Sequence, residues 1–276
     1  MKKELLFLSL FLLSVQSISK PLILLVQISV EEESIKSGIK NGRENIEDEM
    51  HKLANFISFD FEVKRNVTDR TLNHSYLDSF REEIKEEIKD CNKKGIPVYL
   101  FIQVNTHGIA HNDSDYKYPL SVLTPESKTV SYNQTHLLYD FKRKYYDYFY
   151  LNTGLKHLSL WLSSCNNYKE PVVSFNGFHN TKASVSDETI KKNLLSFLNN
   201  LTLLIYSSKR TTSYLTTNGS LIDCSVIDTF NCFFSGCKID REKFKQSLQY
   251  TVNKEIQKRY NSNFNQNIEI EMKSIH

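Results

Sequence analysis

Four short apolar runs, separated by segments of helical spacing, constrain this chain more than any other feature. From Pro21 to Val30 the residues Leu22, Ile23, Leu24, Leu25 and Val26 follow one another without alternation. Ile96 to Val104, Leu158 to Leu162 and Leu201 to Tyr206 are built alike. A strand that is apolar on both sides must be covered on both sides, which suits parallel strands between helical layers. Helical spacing is predicted over Asn45 to Phe56, through Ile46, Met50, Leu53 and Phe56 or Ile57. Glu31 to Arg43 reads as a polar loop, and Phe59 to Val63 as a short strand. Asn66 is placed to cap a charged helix over Thr68 to Asn92, with Leu72, Tyr76, Phe80, Ile84 and Ile88 spaced by four. Thr135 to Tyr150 is aromatic and helical, and 166–186 is a loop holding a short strand at Val172 to Phe175. Asp187 to Asn199, Leu221 to Phe234 and Arg241 to Tyr260 read as helices, and Ile268 to Met272 as a terminal strand. The alternation predicts an α/β fold, a three-layer sandwich around a mostly parallel central sheet.

No internal repeat or low-complexity linker divides the 276 residues, so the chain reads as a single domain after its N-terminus. Residues 1–19 have the layout of a secretory signal peptide: Lys2 and Lys3, an apolar run from Leu5 to Val15, then small or polar residues to Ser19. That run is too short to span a membrane comfortably, so no stable span is expected once it is cleaved. Six glycosylation sequons, at Asn66, Asn73, Asn112, Asn133, Asn200 and Asn218, agree with a secreted or secretory-pathway glycoprotein. Five cysteines remain, and an odd number in an oxidising compartment leaves one thiol over. Cys224, Cys232 and Cys237 lie close enough in sequence for a bridge among them. A net charge of +3 and short basic runs such as Lys142-Arg143-Lys144 give no nucleic-acid track. Scattered histidines, with no Cys-x-x-Cys pair, argue against a zinc site.

Two strand ends carry chemistry. The second apolar run ends at Asn105-Thr106-His107-Gly108, and the third at Ser163-Ser164-Cys165. In open α/β sheets, ligands sit outside the carboxyl ends of the strands. Neighbouring strands are about 5 Å apart, so residues just past two adjacent ends can share one substrate. An imidazole beside a thiol makes the thiolate, and can later protonate a leaving amine. Gly108 allows close approach to the backbone, and its N–H with that of Cys165 could hold a developing oxyanion. Alone, a strand-end histidine is usually a hydrogen-bonded surface residue, and a strand-end cysteine is usually buried and inert. Strand-His-Gly followed by strand-Ser-Ser-Cys is more specific than either.

On these residues the chain resembles the caspase and metacaspase family, which places His-Gly after one strand and its nucleophilic cysteine after the next. Here 58 residues separate His107 from Cys165. Asn45 to Val63, running into Asn66-Val67-Thr68, is similar to the family's first helix and second strand. Leu204 to Ser208 resembles the strand that opens the small-subunit part, and Gly219-Ser220 the residues before its helix. The resemblance implies a caspase-like peptidase domain over 20–276, with a large-subunit-like part at 20–186 and a small-subunit-like part at 187–276. It implies that Ser163, Ser213, Tyr214 and Leu215 line the substrate site. Ser163-Ser164-Cys165-Asn166-Asn167 departs from the family's nucleophile pattern. Metacaspases carry an acid where Ser163 stands, and caspases a basic residue near Leu215. Lys40 and Arg43 do not clearly supply that charge. Neither aspartate nor Arg/Lys preference before the cut follows.

The implied activity is that of a secreted cysteine endopeptidase acting on protein or peptide substrates through Cys165 and His107. It needs no cofactor. Some metacaspases need calcium, but Asp113, Asp115 and Asp187 form no calcium-loop pattern. A legumain-like peptidase shares the dyad, without this chain's residues after the nucleophile. An inactive homologue that binds a partner is the contrasting class. The family pairs through the edge strand near its C-terminus, so a homodimer is also implied.

Overall fold

The computed structural model describes residues 19–31, 36–68, 74–106, 108–110, 120–122, 136–137, 141–164, 185–199, 201–207, 215–216, 219–237, 240–259, 266 and 268–275. Among these, a six-stranded sheet is formed by β1 (Leu22–Val30), β2 (Asp60–Thr68), β3 (Val98–Thr106), β7 (His157–Ser164), β8 (Leu201–Ser207) and β11 (Ile268–Ser274). Its order is β11-β8-β7-β3-β1-β2, parallel throughout except for β11, which runs antiparallel to β8. The smaller pairings involve β4 (Gly108–Ala110), β5 (Leu120–Val122) and β6 (His136–Leu137), and β9 (Leu215–Thr216) with β10 (Gly219–Ser220). The fold is α/β, as the apolar runs require.

Every residue of β1 and β3 is buried, because successive side chains enter two different cores. Ile23, Leu25, Tyr99, Phe101 and Trp161 join one core with helices α1 (Lys36–Ile57), α4 (Asp187–Leu198), α5 (Leu221–Phe234) and α6 (Arg241–Arg259). Leu24, Val26, Leu100, Ile102 and Leu160 join the other, with α2 (His74–Lys93), a π-helical turn at Lys142–Asp147 and the short α3 (Tyr148–Asn152). Burial of such side chains contributes about 1.5–3 kcal/mol each, and it is the main term that holds the layers together.

Several elements differ from the sequence expectation. The polar stretch before Asn45 is largely helical, since α1 begins at Lys36. Strand β2 continues to Thr68, so Asn66 is not a helix cap; it is buried in the strand opposite Ile28. Helix α2 starts later, at His74, and its buried stripe is Leu77, Phe80, Ile84 and Ile88, while Tyr76 is exposed. A pitch of 3.6 residues favours that stripe over a strict spacing of four. His136–Leu137 is a short strand rather than part of the aromatic helix. The expected strand at Val172 to Phe175, the calcium candidates Asp113 and Asp115, and all but the last residue of the expected signal segment 1–19 lie outside the described residues.

Candidate functional site

The α1–α5 face of the sheet changes character along its strands. At the amino ends it is apolar. Towards the carboxyl ends the same face carries Gln27 and Ser29 on β1, Gln103 and Asn105 on β3, and Ser163 on β7, all buried. Burying polar groups is costly unless they find partners, so the network they form is informative. The Gln27 side-chain amide donates to the Gln103 side-chain oxygen at 2.9 Å and to the Arg43 carbonyl at 2.8 Å. Gln103 in turn donates to Asp223 Oδ1 at 2.9 Å. The Ser163 hydroxyl donates to that same oxygen at 3.0 Å.

Asp223 comes from the first turn of α5, where Ser220 and Asp223 form a capping box. The Asp223 N–H donates to Ser220 Oγ at 3.0 Å, and the Ser220 N–H donates to Asp223 Oδ2 at 3.3 Å. The carboxyl is fully buried. That burial raises its pKa above the ordinary carboxylate value, while the bonds from Gln103, Ser220 and Ser163 oppose the shift. Among the described residues, the Ser29 hydroxyl and the Asn105 side-chain oxygen, register partners on β1 and β3, are buried without a hydrogen-bond partner.

Strands β3 and β7 are neighbours, and their last register pair is Thr106 with Ser164. His107 and Cys165 are the next residues in sequence after that pair, and both lie outside the described residues. So do Ser213 and Tyr214. Gly108 is the first residue of β4 and pairs with Val122. Leu215, on β9, pairs with Ser220, the cap of α5. Ser163 and Leu215, far apart in sequence, are therefore both joined to the Ser220–Asp223 turn. Arg43 is part-buried and paired with Glu31 at 2.9 Å, while Lys40 is an exposed helix residue 3.8 Å from Glu44. Asp187 opens α4. Among the described residues no group of three or more His, Cys, Asp or Glu could hold a metal ion, and no helix is long and apolar enough to cross a membrane.

Two adjacent parallel strands therefore end side by side at Thr106 and Ser164, with Gln103, Ser163 and Asp223 buried just behind those ends. No family model matches the chain, and no curated protein matches it in sequence. Among solved structures, it is similar to the crystal structure of caspase-1 from Spodoptera frugiperda, with a TM-score of 0.51 and 12% identity. The match covers 95% of this chain and 91% of that one. The chain has a caspase-like fold. That likeness extends over nearly the whole sequence, so the α/β sandwich and its resemblance agree.

Asp223 and Gln103 escaped the sequence reading. The Ser220-x-x-Asp223 spacing is a capping-box signal, and it marks Asp223 as an N-terminal helix residue. Nothing in that signal says that the same carboxyl also reaches two strands.

Proposed function

We propose that this chain is a secreted caspase-like cysteine endopeptidase in which Cys165 is the nucleophile and His107 the proton carrier. The observation that carries the reading is the register of Thr106 with Ser164, on adjacent parallel strands, with His107 and Cys165 next in sequence. The Cys165 thiolate attacks the peptide carbonyl carbon, and the carbonyl oxygen takes the negative charge. The N–H groups of Gly108 and Cys165 hold that charge. Collapse of the intermediate breaks the C–N bond, and the His107 imidazolium protonates the departing amine. Water, deprotonated by His107, then hydrolyses the thioester and restores the thiol. The substrate is a protein or peptide, and a single domain over 20–276 carries the whole site.

A side chain placed beside Ser163 meets a buried carboxyl one hydrogen bond away, and Arg43 is already paired with Glu31. Both features disfavour an acidic residue before the cut. Export is supported by the Cys232–Cys237 disulfide, which suits an oxidising compartment.

Alkylation tests the activated thiol directly. Cys165, followed in its own peptide by mass spectrometry, reacts with iodoacetamide well below the pH at which an ordinary thiol of pKa about 8.5 does. His107→Ala shifts that profile up towards the ordinary value. An ordinary profile in the unmodified protein would instead favour an inactive homologue that binds a partner.

A further inference from the structure

One oxygen of Asp223 accepts from both strands that lead to the dyad. Gln103, four residues before His107, donates to Asp223 Oδ1 at 2.9 Å, and Ser163, two residues before Cys165, donates to the same atom at 3.0 Å. The other oxygen, Oδ2, closes the capping box on Ser220. Capping alone does not account for this placement. A capping acid works at a solvent-exposed helix end, whereas a buried carboxylate is costly to desolvate unless its donors are well arranged. Here the donors come from β3, β7 and the start of α5, so the group is held in place by three elements at once. It also sits against α1, where a Cβ at Gly42 would lie 3.1 Å from Oδ2.

We propose that Asp223 is a positioning residue for the dyad: it ties the carboxyl ends of β3 and β7 to the first turn of α5 and so sets the spacing of His107 and Cys165. This rests on the cysteine-peptidase reading. It assigns Asp223 no contact with substrate. Its whole effect passes through the Ser163 hydroxyl and the Gln103 amide. A displacement of about 1 Å between reacting groups is enough to cost about 100-fold in rate, so a fixed anchor two residues from the nucleophile has a measurable consequence.

The test uses the full secreted chain with Asp223→Asn, Ser163→Ala, the double variant and Ser163→Thr. Each is checked for folding by thermal unfolding, then for kcat and KM on a peptide it cleaves, and for the pH profile of Cys165 alkylation. Expected is a fall in kcat of about 10-fold to 100-fold for Asp223→Asn and for Ser163→Ala, with the Cys165 profile moved up in pH. The double variant falls no further than the worse single one, because both substitutions act on the same Ser163–Asp223 contact: an amide at 223 sets a donor in place of one of its two acceptor oxygens. Ser163→Thr, which keeps a hydroxyl, recovers the alkylation profile. If Asp223→Asn fails to fold, Ser163→Ala still decides, since it leaves the capping box intact. Folded single variants with unchanged kcat and unchanged alkylation overturn the role. A change confined to KM also overturns it, and assigns Ser163 to substrate contact. An ordinary thiol profile in the unmodified protein overturns the peptidase reading itself, and the two failures are thereby told apart.

Discussion

His157, the first residue of β7, is a fully buried titratable group at the end of the sheet opposite the site. Its Nδ1 lies 2.9 Å from the Leu198 carbonyl and its Nε2 lies 2.6 Å from Ser159 Oγ. A carbonyl only accepts, so Nδ1 carries the proton and Nε2 takes the serine hydroxyl's. The ring packs on Phe101, with centroids 4.8 Å apart. Burial lowers its pKa to about 4, against the pull of its backbone hydrogen bonds. In the unfolded chain it titrates near 6.5. Between those values the unfolded chain binds a proton that the folded chain does not. Stability present above pH 6.5 is therefore lost as the pH falls towards 4, by about 3 kcal/mol. Urea unfolding of the unmodified protein and of His157→Gln at pH 7 and pH 4.5 checks this. The stability gap between them narrows by about 2–3 kcal/mol at the lower pH; a constant gap contradicts the assignment. Asp223, whose pKa is raised, acts in the opposite sense, with its share lost as the pH rises, but both proteins contain it and it cancels.

At the scale of elements, the start of α1 was hidden in the sequence because Gly38 and Gly42 are poor helix formers. Gly42 is there for contact. A Cβ on it would lie 2.7 Å from the Gly219 Cα, where α1 meets β10. The usual effect of Gly→Ala in a helix is a gain in stability. Here the added Cβ meets backbone rather than the end of a flexible side chain, so Gly42→Ala is expected to destabilise by about 1–3 kcal/mol in chemical denaturation. A gain would show that the two backbones separate freely. The Cys232–Cys237 disulfide closes the end of α5 over a sequence separation of 5. A loop that short contributes about 2 kcal/mol or less. Cys232→Ser with Cys237→Ser is expected to lower the denaturation midpoint by no more than that and to leave Cys165 alkylation unchanged. The apolar strands were legible because their side chains serve two cores. The carboxyl half of β2 was not, because an edge strand with only β1 beside it carries Lys64, Arg65 and Asn66. The carboxyl ends of β3 and β7, which are neighbours at Thr106 and Ser164, were legible as the ends of apolar runs. The Asp223 network was not, since it joins residues 60 and 120 positions apart in sequence, and local spacing does not carry contacts of that range.

On the scale of the whole molecule, the sheet order puts β3 and β7 side by side, although α3 and the smaller strands intervene in sequence. β8 and β11, from the C-terminal part of the chain, complete the same sheet, and α5 returns from β10 to meet β3 and β7 through Asp223. Residues from across the chain thus converge on the carboxyl ends of two strands, where an α/β sheet places its ligands. In the proposed function this convergence serves peptide hydrolysis. The most direct test of that function is turnover of a positionally scanned peptide library by the unmodified protein beside Cys165→Ala and His107→Ala. Cleavage is expected from the unmodified protein, with loss in both variants and little cutting after aspartate. Equal cleavage by Cys165→Ala, or no cleavage by any of the three with or without calcium or limited nicking of the chain, would contradict it.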